Sequence, residues 1–136
     1  MKVLAFLLIL ACCAATIHGR AVPEALALLT KGLHQECAKE TKVSEDILTK
    51  GKTGEFTEVP EFKCYLKCLL EKLNFISEDN VVNYDGMISI LPPDFVEPGT
   101  KMINDCRGTT GTDGCDLAWN LNSCLYKSNP KEYFLL

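Results

Sequence analysis

The chain has 136 residues, 47% of them hydrophobic and 24% charged, with 14 Lys and Arg set against 18 Asp and Glu for a formal net charge of -4. That is room for one globular domain, and no low-complexity tract interrupts it. No basic block appears anywhere, so the electrostatic footprint of a nucleic-acid partner is missing, and attraction to an anionic membrane surface is disfavoured on the same ground.

Residues 1–19 have the build of a secretory signal peptide. Lys2 supplies one positive charge, Val3 to Ala15 is an almost unbroken apolar run, and Thr16-Ile17-His18-Gly19 is short and more polar. The apolar run is shorter than the roughly 18 residues of a membrane span, so no membrane insertion is expected. Cleavage is expected after Gly19, with Ala15 and Arg20 as alternatives, which removes Cys12 and Cys13 and leaves residues 20–136 as one secreted, extracellular domain.

From Pro23 to about Cys37, Val22, Leu26, Leu29 and Leu33 recur at helical spacing, and proline suits a first helical turn. Ser44 is a natural N-cap for a second helix to about Lys50, with Gly51-Lys52-Thr53-Gly54 read as the loop after it. Pro60 to Phe75 is the strongest helical stretch: Phe62, Leu66, Leu69 and Leu73 form one stripe, flanked by Tyr65 and Leu70. Ser77 and Asp79 are expected to begin a fourth helix to about Ile90, with Val81, Tyr84, Ile88 and Leu91 as its apolar face, until Pro92-Pro93 stops it. A fifth helix is expected from about Glu97 to Arg107, with Met102, Ile103 and Cys106 turned inward. Asp113 caps a sixth helix, which carries Cys115, Ala118, Trp119, Leu121 and Leu125 and ends near Lys127. A tail, residues 128–136, closes on Tyr133-Phe134-Leu135-Leu136. No stretch alternates apolar and polar residues long enough to predict a sheet, so the fold class is all-α.

Six cysteines follow the leader: Cys37, Cys64, Cys68, Cys106, Cys115 and Cys124. An even number in a secreted chain predicts three disulfides. A metal centre fits poorly, because the near-neighbour spacings are x3 and x8 and His34 is the one histidine beyond the leader; no metal and no cofactor are expected. Cys64 and Cys68, four apart on one helix, run side by side up one face, and Cys115 and Cys124, nine apart, point to opposite faces. Excluding those two pairs leaves ten of the fifteen possible arrangements open.

Written out, the pattern is C-x26-C-x3-C-x37-C-x8-C-x8-C. Together with the leader, the six helices and the ending Asn129-Pro130-Lys131-Glu132-Tyr133-Phe134-Leu135-Leu136, it resembles the insect pheromone-binding and general odorant-binding proteins. The resemblance implies a six-helix, disulfide-crosslinked bundle around an internal hydrophobic cavity, with Cys37 bonded to Cys68, Cys64 to Cys115 and Cys106 to Cys124. It implies an extracellular carrier of small hydrophobic ligands such as odorants, pheromones or similar semiochemicals. The residues expected to line the cavity are Leu66, Leu69, Leu73, Tyr84, Ile88, Leu91, Met102, Trp119, Leu121, Tyr133, Phe134 and Leu135. By the same likeness the tail would fold over the cavity as a lid, and acid would loosen it by protonating a chain-end carboxylate or charging His34. Besides the small hydrophobic ligand, a chemosensory receptor is a partner the resemblance suggests, and the protein is expected to be a monomer or a weak homodimer.

An enzyme is not expected. A lone His34 and the lack of a G-x-S-x-G turn leave a hydrolase without nucleophile and base, and Glu45-Asp46 and Glu78-Asp79 sit where helix starts favour acidic residues anyway. The competing readings are a secreted disulfide scaffold that binds another protein, and a hormone or lipid carrier of the same fold outside olfaction.

Overall fold

A computed structural model describes residues 20–136, so the leader, with Cys12 and Cys13, lies outside the described residues. The described residues form six helices: α1 (Glu24–Thr41), α2 (Glu45–Lys52), α3 (Pro60–Lys72), α4 (Tyr84–Ser89), α5 (Val96–Asp105) and α6 (Gly114–Ser128). They contain no strand beyond one isolated antiparallel bridge, Ile76 to Val82. The all-α, six-helix architecture expected from the sequence is the one present.

The middle layer is α3, packed against α6 on one side and α1 on the other. Phe62, Tyr65, Leu66, Cys68, Leu69 and Leu70 are all buried, so α3 is apolar around much of its girth, as a helix with neighbours on two sides must be. Disulfides join Cys64 to Cys115 on α6 and Cys68 to Cys37 on α1, and a third joins Cys106, at the end of α5, to Cys124 on α6. At a typical 2–4 kcal/mol each, the three crosslinks stabilise a core that is small for its surface by about 6–12 kcal/mol.

Local boundaries depart from the sequence pattern in instructive ways. The buried stripe of α1 is Leu26, Thr30 and Cys37, with Leu33 packed beside it, whereas Leu29 stands 53% exposed. Thr30 tolerates burial because its hydroxyl donates to the Leu26 carbonyl one turn earlier, 2.9 Å away. The helix runs on past Cys37 to Thr41, where Lys42 turns into the left-handed region at φ 60° and its N–H bonds Ala38. No glycine marks that stop in the sequence.

In α2, Gly51 and Lys52 belong to the helix rather than to the loop. A Cβ on Gly51 would lie 2.7 Å from the Phe62 ring, so the glycine permits close approach of α2 to α3. Helix α3 stops at Lys72, and Phe75 lies beyond it, bonded back to Leu70.

The largest correction concerns residues 77–83, which are not helical. Ser77 accepts the Val81 N–H through its hydroxyl, Asn80 adopts φ 59°, and Asn83 rather than Ser77 caps α4, accepting from Gly86 at 2.9 Å. Asparagine and serine side chains here offer the backbone a turn that outcompetes a helix. Val81 consequently lies 64% exposed instead of on an apolar helical face, and Glu78-Asp79 sit in a turn, not at a helix start.

Beside the Cys64–Cys115 crosslink, the Lys63 ammonium on α3 sits 2.8 Å from Asp116 in the first turn of α6. The hydrogen bond from Lys63, helped by the Thr112 N–H, holds the Asp116 carboxyl below its ordinary value. Its stabilising effect is therefore fully present above the ordinary aspartate range and is lost as pH falls through the lowered value. Asp116→Asn is expected to lower the melting temperature at neutral pH. The gap to the parent should stay constant down to about pH 4 and close below it, as pH-resolved thermal melts would show.

Candidate functional site

Where α4, α5, α6 and the tail converge, the packing leaves a cavity of about 80 Å³. Its wall combines Leu26 of α1, Leu70 and Phe75 from the end of α3, Met87, Ile90 and Leu91 around α4, Phe95, Gly99, Met102 and Ile103 along α5, and Asn122 and Leu125 on α6. Glu132, Tyr133, Phe134 and Leu136 of the tail complete it. Helix α5 contributes by register: positions 95, 99, 102 and 103 recur at i, i+4, i+7 and i+8, the inward stripe of one helix. Gly99 is part of that stripe because a Cβ there would come within 2.8 Å of the Phe95 ring and 2.9 Å of Leu91.

The tail reaches the cavity by a turn after α6. Tyr133 N–H bonds the Asn129 carbonyl at 3.0 Å, and the chain then doubles back across the helices. Tyr133 is buried and gives its hydroxyl hydrogen to Asn122 Oδ1 at 3.1 Å, while Phe134 packs on Phe95 with ring centroids 5.2 Å apart. Leu135 tucks under α2, against Gly51. At Leu136 the carbonyl oxygen accepts from the Tyr65 hydroxyl at 3.2 Å, and the Tyr65 oxygen lies 2.8 Å from His34 Nδ1. Burial pushes the Tyr65 hydroxyl far above the ordinary tyrosine value, with Glu45 adding to it, and burial does the same to Tyr133. Both phenols are therefore neutral donors.

A second strand of the closure comes from residue 20. Arg20 N–H bonds the Tyr133 carbonyl at 2.9 Å, and the guanidinium spans Glu132 at 2.7 Å and Asp94 at 2.6 Å. It also lies 4.9 Å from the Phe95 ring centroid. The Glu132 hydrogen bond, the largest influence, raises the Arg20 pKa further. One residue thus ties the start of the described chain to the tail and to the turn before α5.

Of the residues expected to line a cavity, Leu91, Met102, Tyr133 and Phe134 do so. Leu66, Leu69, Leu121 and Leu135 are buried in the solid core, and Leu73, Tyr84 and Ile88 pack against that core without reaching the cavity. Trp119 lies elsewhere: its indole N–H donates to Thr57 at 3.3 Å, Lys63 sits 5.1 Å over the ring, and Phe56 meets it edge-on. It is a wedge between α6 and the 53–59 loop. The physical reason is common to all of them. A helical stripe shows which face is inward, not whether the space it faces is filled. Phe95, Gly99 and Ile103 could have been found from the α5 periodicity; Asn122 and Glu132 carry no sequence signal, because polar residues on an inner face read as exceptions.

The PBP/GOBP family model matches residues 20–128. A general odorant-binding protein, number 72, of Anopheles gambiae is 29% identical over 117 residues, covering 82% of this chain and 96% of that protein. Among solved structures, a medfly odorant-binding protein superposes with TM-score 0.67 at 36% identity, covering 74% of this chain and 88% of the other. A protein from the oral disk of the blowfly Phormia regina, described as a fatty acid binding protein, gives TM-score 0.62 at 26% identity over 82% of this chain and 97% of that one.

Exposed ion pairs contribute about 0–1 kcal/mol each, so Arg20→Ala is expected to leave the melting temperature nearly unchanged. It should nevertheless speed amide hydrogen exchange at residues 131–134 several-fold, because the tail loses its tie. A thermal melt reads the first and exchange mass spectrometry the second; protection equal to the parent's would mean that Arg20 does not hold the tail.

Proposed function

The chain belongs to the PBP/GOBP family, and from that premise we propose that it is a secreted carrier that takes a small hydrophobic ligand into the chamber beneath its own C-terminal tail. The observation that carries this reading is the chamber itself, an almost wholly apolar concavity closed by a non-covalent flap. Its position among the helices, lined by aliphatic and aromatic side chains with a few polar groups, is how small-molecule sites are usually built. The three disulfides and the apolar leader support secretion, since disulfides persist in oxidising compartments.

Size says how loading must occur. The cavity of about 80 Å³ is roughly half of the ~150 Å³ that accommodates benzene in an engineered apolar core. A ligand of odorant size seats only if part of the wall moves outward. Helices α1, α3 and α6 are crosslinked, and α5 is held at its end. The tail and α4 carry no crosslink, so they are the wall that yields. Burying ~300 Å² of apolar ligand at ~25 cal/mol per Å² releases about 7.5 kcal/mol. Ordering and wall displacement subtract from that, shape fit adds to it, and the dissociation constant falls near micromolar.

Acid would open the same flap. With the Tyr65 hydrogen directed at Leu136, His34 Nδ1 must supply a hydrogen to the Tyr65 oxygen. Charging His34 then adds a hydrogen only at Nε2, which faces Glu45 at 3.8 Å, and leaves the chain of bonds intact. Protonation of a carboxylate at Leu136 would weaken the bond that it accepts from Tyr65. Release is expected as pH falls below about 5–6.

Uptake of Nile red, an apolar fluorophore, tests the carrier reading: saturable binding near micromolar is expected, and no binding below ~100 μM would remove it. Deleting residues 133–136 should weaken uptake about tenfold and flatten its pH response. Unchanged binding in the truncated protein would refute the flap.

A further inference from the structure

Only three residues in the wall of the chamber carry polar side chains: Asn122, Glu132 and Tyr133. Their hydrogen bonds can be counted. The Tyr133 hydroxyl gives its one hydrogen to Asn122 Oδ1 at 3.1 Å, and Asn122 Nδ2 gives one of its two hydrogens to the Ala118 carbonyl at 2.9 Å. These two bonds also fix which end of the amide is oxygen, since a carbonyl faces one end and a hydroxyl donor the other. What is left over is one amide N–H on Asn122 and the lone pairs of the Tyr133 oxygen, on two bonded residues of a mostly apolar wall. A ligand hydroxyl can use both at once, giving its hydrogen to the phenol oxygen and accepting the amide N–H. A ketone or aldehyde can use the amide N–H alone, and a hydrocarbon can use neither.

The third polar group discriminates on charge. Glu132 is a lining residue whose half-buried carboxylate pairs with Arg20, and that guanidinium is shared with Asp94, which leaves the trio with one net negative charge. Among the described residues no Lys, Arg or His lines the chamber. A carboxylate headgroup drawn inside would lose its water and meet a negative charge with no free cation to offset it.

Resting on the carrier reading above, we propose that the Asn122–Tyr133 pair is the specificity-determining anchor of the chamber: it holds the oxygen of a neutral alcohol or carbonyl ligand, and Glu132 excludes carboxylates. Fatty acids, the ligand class by which the blowfly relative is described, are therefore poor ligands here. Selectivity between alcohol and hydrocarbon is modest, because neither Asn122 nor Tyr133 is orphaned when the ligand offers nothing. One net hydrogen bond corresponds to roughly three- to tenfold in affinity.

The experiment is displacement of Nile red by hexanol, heptane (a methyl in place of the hydroxyl) and hexanoate at neutral pH. Binding is compared between the unmodified protein and the double variant Asn122→Leu, Tyr133→Phe. Replacing both partners together avoids leaving a buried hydroxyl unpaired. Heptane serves as the internal reference for hydrophobicity, so the reading is the ratio of hexanol to heptane affinity. That ratio is expected to fall roughly three- to tenfold in the double variant. Hexanoate is expected to bind the unmodified protein at least tenfold more weakly than hexanol, and Glu132→Gln should narrow that gap. Should the double variant not fold, Tyr133→Phe alone is expected to cost hexanol about twofold to threefold while leaving a methyl ketone of the same length unaffected. An unchanged alcohol-to-alkane ratio, or hexanoate binding as well as hexanol, overturns the anchor while Nile red uptake still supports a carrier. If the unmodified protein takes up no Nile red, the carrier reading falls and the anchor with it.

Discussion

Two disulfides leave α3 one helical turn apart and reach different helices, Cys64 to α6 and Cys68 to α1. That branching constrains everything else. It holds α3 as the middle layer, and the residues between and around the two cysteines, Phe62, Tyr65, Leu66 and Leu69, fill the space between the outer helices almost without exposure. The third bridge fastens the end of α5 to the far side of α6. Around the crosslinks the interior is solid. The chamber opens where the six-residue α4 and the tail, neither of them crosslinked, complete a wall shared with α1, α3, α5 and α6.

This division of labour suits a carrier. A cavity forgoes dispersion contacts and burial, and the cost grows with its volume. Covalent bonds among α1, α3, α5 and α6 offset that cost and leave α4 and the tail uncrosslinked. The tail is held by several weak bonds: Arg20 to Glu132 and Asp94, Tyr133 to Asn122, Tyr65 to Leu136. Each net bond contributes on the order of 1 kcal/mol. Together they fasten the tail over the chamber without a covalent bond.

The polar groups inside follow from the same economy of satisfaction. Tyr65 and Tyr133 bring hydroxyls into apolar surroundings, and each hydroxyl has a named partner. Satisfying Tyr133 requires Asn122, and satisfying Asn122 requires Ala118 on the turn below it. The pair that seals the tail to α6 also lines the chamber, so closure and chamber wall share residues.

Much was legible in the sequence. The helical stripe Phe62, Leu66, Leu69, the caps at Ser44 and Asp113, and six cysteines in an x3 and x8 pattern led to a crosslinked helical bundle, because periodicity and capping are local and write themselves into neighbouring residues. Spacing along one helix could exclude two cysteine pairs but could not select among ten arrangements; which sulfur meets which depends on how helices stack, a matter of distances between residues far apart in the chain. The same limit explains residues 77–83, where Asn80 and Asn83 turned an expected helix into a loop. It explains the chamber as well. Leu66 and Leu121 look from the sequence no different from Met102 and Leu91, yet the first two are packed solid and the last two face open space. A stripe reports that a side chain leaves water. Only the meeting of α5, α6 and the returning tail decides whether it finds a neighbour or a void.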